Sequence, residues 1–392
     1  MEARRVTEHV QWMGAIDWHR RLFDSLIPLP QGTSYNAYLV EGSEATALVD
    51  TVDPGQSEVL LRQLANVRRL DYIVAQHAEQ DHAGTIPQVL ARYPEAKVVA
   101  TPKGKAMLID LLHLPDDRMT TVDDGSVLSL GGVTLQFMHM PWVHWPETMV
   151  TYVPEEKLLF TCDFLGSHLA TSSLYGESDA LTVAAAKRYY AEIMMPFRRM
   201  IAKHLAHLGD LDIGAIAPSH GPIWGHPATI LDAYQDWVGD TPGNLAIVPF
   251  VSMHGSTGTM VQYLVAGLAA RGVEVHPFDL TVVDLGELAM AMVDAATIII
   301  GAPTVLGGAH PQAAYAASLA NALRPKARYA GVVGSYGWAG GATKALVGML
   351  PALRVELLDP VEVRGKPRDD DFAALDRMAD AVADRHRNDG LL

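Results

Sequence analysis

Short apolar runs that stop abruptly at ionisable residues recur through the first 220 positions of the chain. Ala45–Val49 runs into Asp50, and the run Leu70–Ala75 leads straight into HAEQDHAG. Runs of this length rich in β-branched residues predict strands. A strand over Val133–Met138 is followed by a Met140–Pro141 corner and His144, a strand over Lys157–Thr161 ends near Asp163, and one over Leu211–Ala217 ends near His220. Helical periodicity covers Ala83–Tyr93 and Leu181–Leu208, the second interrupted at Pro196, where a kink or boundary is expected. The stretch DWVGDTPGN, Asp236–Asn244, combines turn formers and predicts a linker. Beyond it the rhythm becomes strand, Gly/Ser/Thr loop, helix, with strands predicted at Leu245–Val251, Val273–Phe278, Thr297–Ile300, Tyr329–Val333 and Arg354–Leu358. That alternation predicts a doubly wound parallel sheet. The expected domains are residues 1–242 and 243–392.

Composition narrows the chemistry. The chain has 392 residues, too many for one ordinary domain. A net charge of −15 argues against a nucleic-acid partner. The single cysteine, Cys162, excludes a disulfide framework, a cysteine-ligated iron–sulfur cluster and a fused rubredoxin, and is read as a space-filling thiol. Without a signal-like apolar run or a stretch of about 20 apolar residues, the protein is expected to be cytoplasmic and to have no membrane partner.

The residues at the strand stops are metal ligands by type. His77, Glu79, Asp81 and His82 lie within six positions, more donors than one tetrahedral ion can use, so two metals are expected. With His144, Asp163 and His220 the set has four imidazoles and three carboxylates. Oxygen donors of this kind favour iron or manganese over zinc. Asp50 is expected to structure a neighbouring loop, and His139, Trp145 and Trp224 are read as structural.

Three later loops end strands on one rim. Ser252, Met253, His254, Gly255, Ser256 and Thr257 offer hydroxyls and backbone amides at a helix start, without the lysine of a P-loop or the GxGxxG of a dinucleotide fold. Pro303, Thr304, Val305 and Gly307 form the second loop and Ser335, Tyr336, Gly337 and Trp338 the third. Converging at a switch point, they suit a flavin mononucleotide, FMN, with Tyr336 or Trp338 beside the ring.

HAEQDHAG, TSYNAYLV, HWPETM, CDFLGSH, APSHGPIW, GAPT and GSYGW, in this order, resemble the flavodiiron proteins, or A-type flavoproteins, over essentially the whole chain. The resemblance implies a metallo-β-lactamase-like αββα sandwich followed by a flavodoxin-like domain. It implies one iron on His77, Glu79 and His144, a second on Asp81, His82 and His220, and Asp163 bridging both. It also implies reduction of O2 to water, of NO to N2O, or of both, through FMN, with electrons from a rubredoxin-like protein, a reductase or reduced F420. A head-to-tail homodimer, or a dimer of dimers, is expected, with each flavin facing the partner's irons. Tyr190, which the family places near the pocket, and His168 are candidates for proton delivery. The chain departs from the family at Asp24 and Ser25, where many relatives carry a histidine, at His254, and at Val305, where aromatics are frequent. Two alternatives remain at this point: a zinc hydrolase with an appended flavodoxin, and an electron-transfer flavoprotein whose metal site is structural.

Overall fold

Neighbouring residues along the N-terminal strands are buried on opposite sides. Trp12, Tyr38, Ala47, Val74 and Val99 enter one core, whereas Met13, Leu39, Leu48, Ile73 and Val98 enter another. That period of two puts successive side chains on opposite faces of a sheet. Because both faces are covered, Thr33–Glu41 is buried along all but its last residue and shows no polar alternation. The computed structural model, which describes residues 2–176 and 180–392, builds this sheet in chain order. Its strands are Arg4–Arg5, Val10–Asp17, Thr33–Glu41, Thr46–Val49, Tyr72–Val74, Lys97–Ala100 and Met119–Thr121.

One face carries the helices Ser57–Gln63, Ile86–Arg92 and Pro102–Leu112 through Leu60, Ile86, Val89, Leu90 and Leu108. The other face packs on a second sheet through Leu135, Phe137, Met149, Leu158 and Phe160. That sheet is ordered Val127–Ser129, Thr134–His139, Met149–Val153, Leu158–Cys162, Ala215–Pro218, Ile223–Trp224 and Tyr175–Gly176. Arg198–Leu208 and Pro227–Val238 supply further helices, and Tyr234 of the latter meets Phe164 edge-on at 5.5 Å. This is an αββα sandwich.

The chain forms two units: everything through Tyr190 with Phe197–Val238, and Gly239–Leu392 with Ala191–Pro196. In the second unit the strands lie in the order Glu274–Asp279, Gly243–Phe250, Ala295–Val305, Tyr329–Tyr336, Glu356–Leu357, all neighbours parallel. Numbered along the chain this is 2-1-3-4-5, the flavodoxin-like order. Helices Ser256–Ala270 and Asp369–Asn388 cover one face with Met260, Leu264, Leu375 and Val382.

Some expected elements differ. The helix expected over Ala83–Tyr93 is two, Gln80–Ala83 and Ile86–Arg92, the second with Pro87 in its first turn, where a missing N–H costs nothing. The Leu181–Leu208 helix breaks into Ala180–Tyr189, a π-turn over Tyr190–Met194, a 3-10 turn over Met195–Phe197, and Arg198–Leu208. The break starts ahead of Pro196 because its ring crowds the carbonyl four residues back. The strand expected over Leu211–Ala217 is shorter, Ala215–Pro218. The last predicted strand shrinks to Glu356–Leu357, and after Pro360, which has no N–H to pair, Val361–Arg364 resumes alongside Tyr329–Tyr336.

Candidate metal centre

Each of the seven suspected ligands sits where a strand of the sandwich ends. His77 and Glu79 lie on the loop leaving Tyr72–Val74, and Asp81 and His82 on the short helix Gln80–Ala83 that follows. His144 lies between Thr134–His139 and Met149–Val153, Asp163 directly follows Leu158–Cys162, and His220 follows Ala215–Pro218. Folding brings all seven together.

They form two groups joined by one carboxylate. The Nε2 atoms of His77 and His144 stand 3.1 and 3.2 Å from Glu79 Oε2, and each is 3.5 Å from Asp163 Oδ2. On the other side, His82 Nε2 is 3.3 Å from Asp81 Oδ1 and 3.0 Å from Asp163 Oδ1. His220 Nε2 is 3.0 Å from Asp81 Oδ2 and 3.4 Å from Asp163 Oδ1. Asp163 thus turns one oxygen to each group.

These residues fit two ions. Donors bound at about 2.0–2.2 Å lie about 3.0–3.5 Å from one another around a shared centre, as they do here. Both oxygens of Asp81, Oδ2 of Asp163 and Nε2 of His82 are buried without a hydrogen bond, although oppositely charged or polar atoms stand within reach. Buried polar atoms are rarely orphaned in this number, so the atoms converge on a point rather than on each other. Cys162 is near His82 and Asp163. Burial, with the charges of Asp50 and Asp163, pushes its thiol well up.

The electrostatics agree. Burial would lower the His77 pKa, but Glu147, Glu79 and Asp163 outweigh it and hold the ring well above its usual value. Against the same desolvation, Asp163 and Glu79 push His144 up to about 9, and Asp163 and Asp81 push His220 up to about 10. Burial opposes ionisation of Asp163, yet the surrounding imidazoles keep it well below the carboxylate range. A site that holds protons this strongly holds cations by the same field.

Residues outside the ligand set fix this geometry. Asp50, expected to order a loop, accepts from the Gln76 amide and side chain at 2.9 and 2.8 Å and from Ser219 Oγ at 3.3 Å, pinning the chain neighbours of His77 and His220. His220 Nδ1 meets the Ser34 carbonyl at 2.7 Å, and Asn36 Nδ2 donates to the carbonyls of Pro218 and Gly221, both at 2.8 Å. His77 Nδ1 lies 2.6 Å from Glu147 Oε1. The motifs TSYNAYLV and HWPETM contain Ser34, Asn36 and Glu147, but nothing in the sequence assigned them partners.

Tyr190 corrects the expectation. Its hydroxyl donates to the Trp237 carbonyl and its ring packs on Tyr234 and Trp237, whereas Tyr189 donates from its hydroxyl to Asp163 Oδ1 at 2.7 Å. Successive helical residues point about 100° apart, so only one of the pair can face the cluster. His168 does lie at the cluster, 4.8 Å ring to ring from both His220 and Tyr189, with Nδ1 2.9 Å from Thr33 Oγ1. Burial and the neighbouring His220 hold it well below its usual pKa, hence neutral. Asp24 and Ser25 occupy a left-handed turn between Leu22–Phe23 and Ile27–Pro28. Partial desolvation and the charges of Glu79 and Asp81 raise the Asp24 carboxyl although solvent reaches it.

In the second unit, Ser252–Gly255 lead from Gly243–Phe250 to the helix Ser256–Ala270, which Ser256 and Thr257 open, at the switch point of the sheet. Pro303, Thr304 and Val305 end Ala295–Val305, Gly307 begins its return, and Ser335 and Tyr336 end Tyr329–Tyr336, with Gly337 and Trp338 beyond. Thr257 Oγ1 and Ser335 Oγ, 2.9 Å apart, join the first loop to the third, and Thr304 Oγ1, accepting from Ala342 N at 3.2 Å, joins the second to the third. A Cβ added at Gly255, Gly307 or Gly337 would meet nothing within 4 Å. The loops therefore leave open room beside an N-terminus whose cap, Gly255 at φ 90°, has no side chain to fill it. A flavin phosphate fits such a cradle.

Residues 33–221 match the family model described as "ODP family beta lactamase". Over 391 residues the chain is 37% identical to a nitric oxide reductase of Moorella thermoacetica, covering 97% of this chain and 98% of that one. Its structure superposes on the rubredoxin oxygen:oxidoreductase of Desulfovibrio gigas with a TM-score of 0.95, at 30% identity and 100% coverage of both chains. The flavodiiron protein of Giardia intestinalis matches with a TM-score of 0.93 at 25% identity, over 99% of this chain and 98% of that one.

Proposed function

Because the chain belongs to the flavodiiron protein family and is thus an oxidoreductase carrying FMN and a diiron centre, we propose that it reduces O2 to water, NO to N2O, or both. Neither a zinc hydrolase nor a purely electron-transferring flavoprotein is favoured by its relatives. His77, Glu79 and His144 would hold one iron, Asp81, His82 and His220 the other, and Asp163 both. The observation that carries this assignment is Asp163 itself, with Oδ2 toward one group and Oδ1 toward the other.

When bound, the irons supply electrons to the diatomic substrate and FMN restores them. The protein's part is to hold and shape. Solvent reaches the His144 and Glu79 side chains, 17% and 11% exposed, while the other five ligands are essentially closed. Substrate would therefore arrive on that side, past Asp24. Tyr189 donates a hydrogen bond to Asp163 Oδ1, and His168, with its ring 4.8 Å from that of His220, would serve in proton delivery. Ser252, Met253, His254, Gly255, Ser256 and Thr257 would cradle the FMN phosphate, with Pro303, Thr304, Val305, Gly307, Ser335, Tyr336, Gly337 and Trp338 about the ring.

The protein would act in the cytoplasm, with domains at 1–242 and 243–392, as a head-to-tail dimer fed by a rubredoxin-like protein, a reductase or reduced F420. No helix among the described residues is long and apolar enough to cross a membrane. Purified protein should contain about two iron ions and one FMN per chain. Zinc without flavin would overturn the proposal. Steady-state turnover with O2 and with NO, on one artificial donor, then separates the two gases.

A further inference from the structure

The two ligand groups differ in what stands behind them. His77 Nδ1 lies 2.6 Å from Glu147 Oε1, and the same oxygen accepts from Ala78 N at 3.0 Å. Glu147 is 3% exposed, its backbone carbonyl accepts from Thr101 Oγ1 at 3.0 Å, and the two contacts at Oε1 hold its carboxylate against His77. On the other side, His220 Nδ1 meets only the neutral Ser34 carbonyl, and His82 Nδ1 is buried without a partner. An imidazole that donates to a carboxylate becomes a stronger metal donor than one backed by a carbonyl.

A second contact points the same way. Tyr189 donates to Asp163 Oδ1, the oxygen turned toward Asp81, His82 and His220, whereas Oδ2, turned toward His77, Glu79 and His144, accepts no hydrogen bond. A hydrogen bond from a hydroxyl withdraws charge from the oxygen that accepts it. One contact enriches the first group, and the other impoverishes the second.

We propose that Glu147 is a positioning residue that, acting through His77, makes the His77–Glu79–His144 site the tighter and more electron-rich of the two, so that the chain fills this site first. The inference rests on the ligand assignment proposed above. Tyr189 widens the difference from the opposite side.

The test is anaerobic titration of ferrous ion into the full-length chain, stripped of metal and retaining FMN. Wild type takes up two ions per chain in two steps. Glu147→Gln keeps an amide oxygen for His77 and Ala78 but loses the charge, and should weaken the tight step about 10- to 100-fold while leaving the loose step unchanged. Glu147→Asp should recover part of the loss. His220→Asn should abolish the loose step and leave the tight constant, which identifies the sites. Tyr189→Phe, independent of whether the Glu147 variants fold, should tighten the loose step severalfold. If Glu147→Gln leaves both steps unchanged or weakens them equally, or if Tyr189→Phe fails to tighten the loose step, the inference is wrong though the ligand assignment stands. Wild type that takes up no iron overturns both.

Discussion

Asp163 is the residue on which both groups depend, since each of its oxygens faces a different pair of imidazoles. Asp163→Asn should lower bound iron by more than about tenfold and abolish O2 consumption, with FMN absorbance unchanged. Iron retained at wild-type level would contradict the bridging role. Tyr189 and Tyr190 offer a sharper contrast because they are adjacent. Tyr189→Phe should alter the iron spectrum, whereas Tyr190→Phe should cost only stability, about 1 kcal/mol for one hydrogen bond, measured by denaturant unfolding. pH adds a third expectation. Bound metal requires neutral imidazoles, and His144 and His220 hold protons up to about 9 and about 10. Apparent metal affinity should therefore keep rising with pH through neutrality, with proton release seen by calorimetry in buffers of different ionisation enthalpy. A plateau above pH 6.5, the ordinary imidazole value, would count against the site. For the metal-free chain the sign reverses. Raised imidazole pKa values stabilise the fold fully below pH 6.5, and that contribution fades as pH climbs past 9 to 10.

At the scale of elements, strand ends and helix starts do the positioning. Gly255 caps Ser256–Ala270 at φ 90°, a conformation that costs a β-branched residue about 1–2 kcal/mol. Gly255→Val should weaken FMN binding by about tenfold and leave iron content unchanged, which flavin and metal analysis of the purified variant would check. The strands themselves were legible because a short apolar run that stops at an ionisable side chain marks a buried strand reaching the rim of its sheet: Thr46–Val49 before Asp50 and Tyr72–Val74 before His77 lie within the predicted runs. Boundaries set by local backbone chemistry were harder to place. Pro196 was visible, but the π-turn upstream of it was not, nor was the facing of Tyr189 rather than Tyr190 onto Asp163. One residue of helical phase decides that question, and sequence spacing carries no such resolution.

For the whole molecule, the proposed head-to-tail dimer makes turnover depend on assembly. Diluting the protein through its dimer dissociation should lower O2 consumption per chain while iron and FMN stay bound, and a rate per chain independent of concentration would refute it. The sequence by itself determined the layered α/β architecture, the donor types at the strand ends and the three loops that follow strands of the second sheet. Apolar periodicity and donor chemistry are local properties, written residue by residue. Only the tertiary structure decided that Asp163 turns Oδ2 to one group of donors and Oδ1 to the other, and that Glu147 stands behind His77 while a carbonyl stands behind His220. Those relations join residues up to 186 positions apart. They exist only once two sheets have packed face to face and brought their strand ends to one rim.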